Sequence, residues 1–407
     1  MPSSPSPRKL SMFQVLACGA AIVTLSMGIR HGFGLWLQPI TQEMGWTRQS
    51  FALALAIQNL SWGVIGVFMG MAADRFGAFK VLVGCSLLYA LGLAGMAWSP
   101  NTTMFALTAG VLIGAAQAGT TYAVIYGVLG RQIAPDKRSW AMGVAAAAGS
   151  FGQFLMVPVE GFLINALGWQ QSLLVLGVMV LFIMPLALGL REPGFQGSGA
   201  AQRGQSIAQA MGEALRYPSF LLLTASYFVC GFQVVFIGVH MPSYLRDHGL
   251  SPDVGSHALA LIGLFNVVGT YLTGSLGQRV PKRYILATIY FTRSVAIVLF
   301  LWAPLSPWSV YLFSAVMGTL WLSTVPPTNA TVAQIFGVQH LSMLGGFVFF
   351  SHQVGSFMGV WLGGYLYDQT GSYNIVWGIS IVLGLLAALV SLPIKEQAID
   401  RPAMQGA

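Results

Sequence analysis

The sequence predicts an all-α membrane protein with twelve transmembrane helices in two pseudo-symmetric six-helix bundles. Three observations lead there: too little charge for a water-soluble surface, twelve long apolar runs, and an echo of the first half in the second. Charged residues make up 7 % of the 407 residues, hydrophobic residues 56 %, and mean hydropathy is +0.72. A soluble domain carries about 25 % charged residues. The apolar excess therefore faces lipid.

A spanning helix needs roughly 20 mostly apolar residues. Such runs are expected at 12–39, 50–73, 80–98, 102–129, 140–165 and 170–190, then at 218–245, 254–278, 284–303, 307–332, 341–367 and 373–393. The first is too long for a signal-peptide core and no small-residue cleavage site follows it, so it reads as an uncleaved membrane helix. With the N-terminus in the cytoplasm, fifteen of the 19 Lys and Arg fall in inside segments, and only Arg48 and Arg246 in outside loops. That bias follows the positive-inside rule and puts both termini on the cytoplasmic side of a bacterial inner membrane. The Gly/Gln/Ser-rich stretch 191–217 reads as a cytoplasmic linker. It divides an N-terminal bundle, 1–190, from a C-terminal bundle, 218–407.

The halves echo each other at an offset near 204. GMAADRFGAFK (Gly70–Lys80) corresponds to GSLGQRVPKRY (Gly274–Tyr284), and LQPITQEMGW after the first span to HMPSYLRDHGL after the seventh. Pro39 then matches Pro242, and Gly45 matches Gly249. Duplicated halves of this kind are a transporter device, with substrate held between them near the bilayer midplane.

Several function classes drop out. The formal charge of +8 sits in short loops without interleaved aromatics, which argues against nucleic acid. No P-loop, dinucleotide fingerprint, nucleophile elbow or metal spacing occurs, so neither an enzyme, a cofactor nor a bound metal is expected. Cys18, Cys85 and Cys230 lie in apolar runs and form no CxxC pair, and read as packing residues.

The Gly70–Lys80 segment, G-x-x-x-D-R-x-G-x-x-K, resembles the cytoplasmic loop signature of the major facilitator superfamily. That resemblance implies a major facilitator fold, a single-chain carrier, and a cytoplasmic gate built on Asp74, Arg75 and Gly77. The second copy keeps Arg279 but has Gln278 in place of the acid. Two further stretches, Gly28–Gly63 and Gly363–Trp377, are similar to bacterial relatives of the monocarboxylate and oxalate:formate transporters, a group that carries small organic anions. Eukaryotic members keep an Asp and an Arg four residues apart on span eight, where this sequence has Asn266 and Thr270. The glycine-rich antiporter signature of drug exporters is absent from span five, which reads GSFGQFLMVPVEG.

An ionisable side chain at the bilayer centre costs at least about 2.5–3.5 kcal/mol, so each one here is a candidate for function. Arg30 on span one suits a carboxylate through its planar, bidentate fork. The alternative for Arg30, and for Arg293 on span nine, is a link to backbone carbonyls. Glu160 on span five has three possible readings: a proton carrier, a partner for Arg30, or an exposed interfacial acid. His31, His240 and His352 lie in spans and titrate nearest neutral pH, with His240 a further proton candidate. The family's cavity-lining spans add Tyr122, Tyr126, Gln58, Asn59, Tyr227, Gln233, Asn266, Tyr271 and Gln353. The helix-packing glycines expected from the pattern include Gly66–Gly70 and Gly359–Gly363–Gly364.

Two buried arginines and three histidines against one clear acid favour an anion. The leading reading is a proton-coupled carrier of a small organic anion across the lipid bilayer. An exporter of amphipathic compounds and a non-transporting membrane sensor are the alternatives.

Overall fold

Inside a bilayer every backbone N–H and C=O must find its partner within the chain, which leaves the helix as the natural element for these apolar runs. The computed structural model describes residues 11–192, 207–337 and 341–399. Each expected span is helical there. The first half comprises α1 (Met12–Met44), α2 (Arg48–Phe76), α3 (Ala78–Ala97), α4 (Thr102–Gln132), α5 (Pro135–Leu167) and α6 (Trp169–Leu190). The second comprises α7 (Pro218–Asp247), α8 (Pro252–Leu276), α9 (Lys282–Trp302), α10 (Pro307–Phe336), α11 (Leu341–Thr370) and α12 (Asn374–Ser391). Ten of these satisfy both length and composition for a membrane crossing among the described residues. The other two, α2 and α11, are 29 and 30 residues long. Within the described part of the polar stretch 191–217 lies a further helix, Ile207–Arg216, which turns Ala210 and Ala214 inward.

The repeat seen in the sequence is carried by the backbone. Gly45 and Gly249 both adopt positive φ, 66° and 83°, where α1 and α7 end. Only glycine takes this conformation without cost. Gly77, between α2 and α3, also has positive φ (88°), which gives the loop signature a conformational reason for its glycine. Helix breaks fall at corresponding places as well: α4 is interrupted at Thr121 and α10 across Trp321–Thr324.

The start of α1, the end of α12 and the Gly77 turn lie at one face of the bundle, here the terminal face. The Gly45 and Gly249 turns lie at the opposite, distal face. The halves meet along α2–α11 and α5–α8, and the contact covers only the distal part of each pair. Gly364 packs on Arg48 and Ala52, Gly63 packs on Gln353 and Phe350, and Trp62 meets Phe349 edge-on at 5.4 Å. On the other seam Ser256 donates to the Val157 carbonyl, and Asn266 donates to Ser150 Oγ at 2.9 Å.

A charged latch closes the distal face. Arg48 grips Asp247 with both Nη atoms at 2.6 Å, and Gln38 donates to the same carboxylate at 2.8 Å. Asp368 accepts from the backbone N–H groups of Arg48 and Gln49, capping α2 from the other half. A carboxylate at a helix N-terminus satisfies orphan donors and the dipole together.

Toward the terminal face the halves part. Among the described residues no hydrogen bond or ion pair joins them beyond Trp62–Phe349 and Ser150–Asn266. Gly66 and Gly70 have no neighbour within 4 Å, so this pair of glycines is not the helix contact that its spacing suggested. Gly359 and Gly363 do pack closely, on Phe232 and on the His240 ring.

Candidate functional site

A small central cavity lies between the halves beside the seam. Its N-terminal wall carries the polar groups Arg30, His31, Gln58, Asn59 and Gln153, interspersed with Phe33, Gly34 and Leu55. Its C-terminal wall is apolar, with Val234, Val235, Gly238, Val239 and Trp321. The polarity follows from local packing. Gln58 donates to the Ala109 carbonyl at 2.7 Å and Asn59 to that of Leu55 at 2.8 Å, so both amides are held rigidly. Gln153 donates across the seam to the Leu259 carbonyl, which leaves its Oε1 buried and without a partner.

Arg30 is the centrepiece. One Nη donates to Asn59 Oδ1 at 2.5 Å, and the guanidinium lies 4.7 Å from the centroid of the Trp62 ring. Its Nε is buried and unpartnered, and no acid pairs with it among the described residues. The expected pairing with Glu160 does not occur. Gly28 and Gly32 turn one face of α1 to α5, where Gly32 meets the Glu160 carboxyl. Arg30 projects from the other side, toward α2. Nor is Glu160 an exposed interfacial acid, since it is 0 % accessible. The rings of Tyr122 and Tyr126 meet at 5.5 Å, tilted by 36°, on α4, half-buried on the terminal side of Arg30.

Other expected residues lie elsewhere. His240 is built into the packing of α7 against α11 and α12. The Val360 carbonyl can only accept, so Nε2–H donates to it at 2.9 Å, and Nδ1 takes the Tyr373 hydroxyl at 3.2 Å. Both ring nitrogens are occupied away from the cavity. Gln233 points into the C-terminal bundle, donating to the Ser380 carbonyl and accepting from Arg293. Asn266 is saturated by Ser150, Thr270 and the Leu322 N–H and serves the α5–α8 seam. His352 and Gln353 sit on α11 outside the cavity wall. His352 stacks on Phe349, and both side chains keep a buried nitrogen without a partner. Tyr271 is 75 % exposed on the outer surface of α8.

Arg293 takes the carbonyl-binding alternative. Its guanidinium donates to the Leu320 and Trp321 carbonyls, which the break in α10 frees from helical pairing. Arg75 and Arg279 are exposed at the terminal face and join no ion pair among the described residues. The side chain of Asp74 lies outside the described residues.

Gln153 and Trp321 complete the cavity lining, and Trp62 lies beside it under the Arg30 guanidinium; none of the three is marked out by the sequence motifs. Trp62 carried a usable signal: it lies one helical turn beyond Gln58 on the same face as the polar pair. Gln153 carries no such signal beyond its place in the segment lacking the antiporter glycines.

The sequence profile of the Major Facilitator Superfamily matches residues 16–337 and, in an overlapping second match, 226–407. The chain belongs to the major facilitator superfamily. It is similar to the oxalate:formate antiporter of Oxalobacter formigenes, 22 % identical over 396 residues, covering 95 % of this chain and 91 % of that protein. It is also similar to monocarboxylate transporter 11 of Mus musculus, 26 % identical over 404 residues, covering 93 % and 88 %. Among solved structures the D-xylose-proton symporter superposes with a TM-score of 0.75 at 15 % identity, covering 95 % and 99 %, a likeness of fold. As a major facilitator protein the chain is a multi-pass membrane transporter of small molecules and not an enzyme. The duplicated halves, the seam and the central cavity are the parts such a transporter works with.

Proposed function

We propose that this protein is a secondary active carrier of a small organic anion, a mono- or dicarboxylate, coupled to protons and working by alternating access. The observation that carries the reading is Arg30: a guanidinium with no acidic partner among the described residues, lining a cavity between the halves, with its buried Nε–H unused. A buried cation without a counter-ion is costly, and a carboxylate ligand removes that cost with charge-assisted hydrogen bonds. Asn59 and Trp62 hold the fork, and His31 and Gln58 supply further polar groups on the same wall. The relatedness to a monocarboxylate transporter and to an oxalate:formate antiporter supports the same substrate class.

In this reading the basic loops put the terminal face in the cytoplasm of a bacterial inner membrane, so the sealed distal face is outward. The conformation is then inward-facing, with Arg75 and Arg279 released from a gate that re-forms when the terminal face closes. The bundles 1–190 and 218–407 rock about the cavity as a monomer, joined by the linker 191–217. Taking up a proton with the anion lowers the net charge moved, at about 2.3 kcal/mol per charge per 100 mV.

Purified protein in liposomes, given an inward-directed pH gradient and a panel of labelled carboxylates, tests this. Accumulation of one acid, lost in Arg30→Gln, is the expected result. Absence of flux with every acid, while a neutral or amphipathic compound moves, would overturn the anion assignment.

A further inference from the structure

The sequence offers two proton candidates, His240 and Glu160, and their surroundings differ sharply. His240 has both ring nitrogens committed to structural hydrogen bonds. Glu160 has one carboxylate oxygen bound by the Trp36 indole N–H at 2.9 Å and the other buried without a partner. No cation pairs with it among the described residues. The groups around it are Trp36 and Gly32 from α1, with Arg30 and His31 on the far side of that helix. From α3, Tyr89 lies within electrostatic reach of both Arg30 and Glu160. From α8, Ser256 packs on the next residue, Gly161. None of these neutralises a carboxylate at Glu160. An ionised, singly hydrogen-bonded carboxylate in such a place costs several kcal/mol, whereas the neutral acid avoids most of that.

Position adds the second half of the argument. Val157 and Gly161, on the neighbouring face of the same helix, form the α5–α8 seam against Ser256. Glu160 is thus one helix face from the surface that separates when the distal side opens. On its other side, Gly32 touches the carboxyl while His31 and Phe33 line the cavity. Between Phe33 and Trp36 the helix tightens into a 3₁₀ turn, and that turn carries the indole that binds Glu160.

We propose that Glu160 is the residue that binds the coupled proton, and that the distal seal closes only over its neutral form. This rests on the carrier function proposed above. In the distally open state Glu160 meets water and its carboxylate takes a proton from hydronium. The neutral acid is then buried as α5 and α8 close. The proton returns to water through the cavity side of α1 once the anion has left Arg30. One proton enters and one leaves, with no other bond made or broken. Trp36 positions the carboxyl through its hydrogen bond.

The test compares Glu160→Gln with wild type in liposomes by two assays. Substrate counterflow is measured without a pH gradient, and accumulation is measured under a gradient with a trapped pH-sensitive dye. Glutamine mimics the neutral acid, so counterflow is expected to survive while gradient-driven accumulation and proton movement are lost. Continued accumulation with proton movement overturns the proposal, as does loss of counterflow together with accumulation. Wild type without counterflow of any carboxylate would instead remove the anion reading itself. Trp36→Phe provides a second route if the glutamine variant does not reconstitute. It removes the donor that favours the carboxylate, so the pH profile of accumulation shifts to higher pH, and an unmoved profile overturns the assignment.

Discussion

In the proposed alternating-access cycle the distal latch weights the closed form against the open one, and its weight can be worked out from its geometry. Arg48→Gln removes both 2.6 Å contacts to Asp247 and the 2.8 Å bond to the Tyr373 hydroxyl. A fully exposed ion pair would contribute only about 0.2–1 kcal/mol. This pair is bidentate, its side chains are 12 % and 22 % exposed, and truncation leaves the Asp247 carboxylate without its guanidinium. Hydrogen bonds to charged groups contribute about 1.5–3 kcal/mol, and about 2 kcal/mol is a fair figure here. That shifts the closed–open equilibrium roughly 30-fold. Ser243 is buried and lines a second pocket between the halves, close to the latch. Ser243→Cys, in a background lacking Cys18, Cys85 and Cys230, reports opening through its rate of labelling by a membrane-impermeant maleimide from the distal side. Where reclosing outpaces labelling, the rate follows the open population, so it rises by about the same 30-fold. Asp247→Asn should do the same, and the double variant little more than either single one. An unchanged labelling rate, or strictly additive singles, would refute the latch.

Other consequences follow from the packing. Arg293→Met leaves the Leu320 and Trp321 carbonyls unpaired and should destabilise the protein by about 2–4 kcal/mol, read as a lower melting temperature in detergent. Gly355→Ala drives a methyl group into the Phe228 backbone on α7 and should also lower the melting temperature, by overpacking worth about 1–3 kcal/mol. Gly66→Ala, which faces open space in this conformation, should leave it unchanged. Asp368→Asn weakens a helix cap that crosses the seam, costing about 0.5–2 kcal/mol and raising distal labelling less than Arg48→Gln does.

The fold was almost fully legible because its signals are long and redundant. Twelve apolar runs, one duplicated turn chemistry and a one-sided distribution of basic residues each constrain the same architecture. The site was legible where charge is scarce. Arg30 stands out because nothing nearby in sequence compensates it, and it does line the cavity. Amides and imidazoles did not sort themselves, since a buried polar side chain is needed equally to bind substrate and to satisfy a broken helix. Gln233, His240 and Asn266 lie on spans expected to line the cavity, yet each is turned inward by a partner on a distant span: Ser380, Val360 and Leu322. Helical phase places a residue on a span, and only the packing of several spans decides which face looks into the cavity. Gln153 and Trp321 were hidden for the same reason.

The two helix breaks, alike in position, are held unequally. In α10 the interrupted carbonyls are clamped by the Arg293 guanidinium, which spans Leu320 and Trp321. In α4 the break is bridged by its own chain, with the Thr121 hydroxyl donating to the Gln117 carbonyl. Tyr89, the counterpart of Arg293 in the repeat, reaches Ser26 and Gln117 instead. One hinge is therefore riveted from outside and the other merely folded on itself. In the proposed carrier the C-terminal half would then be the stiff frame, and the N-terminal half, which carries Arg30, the compliant member.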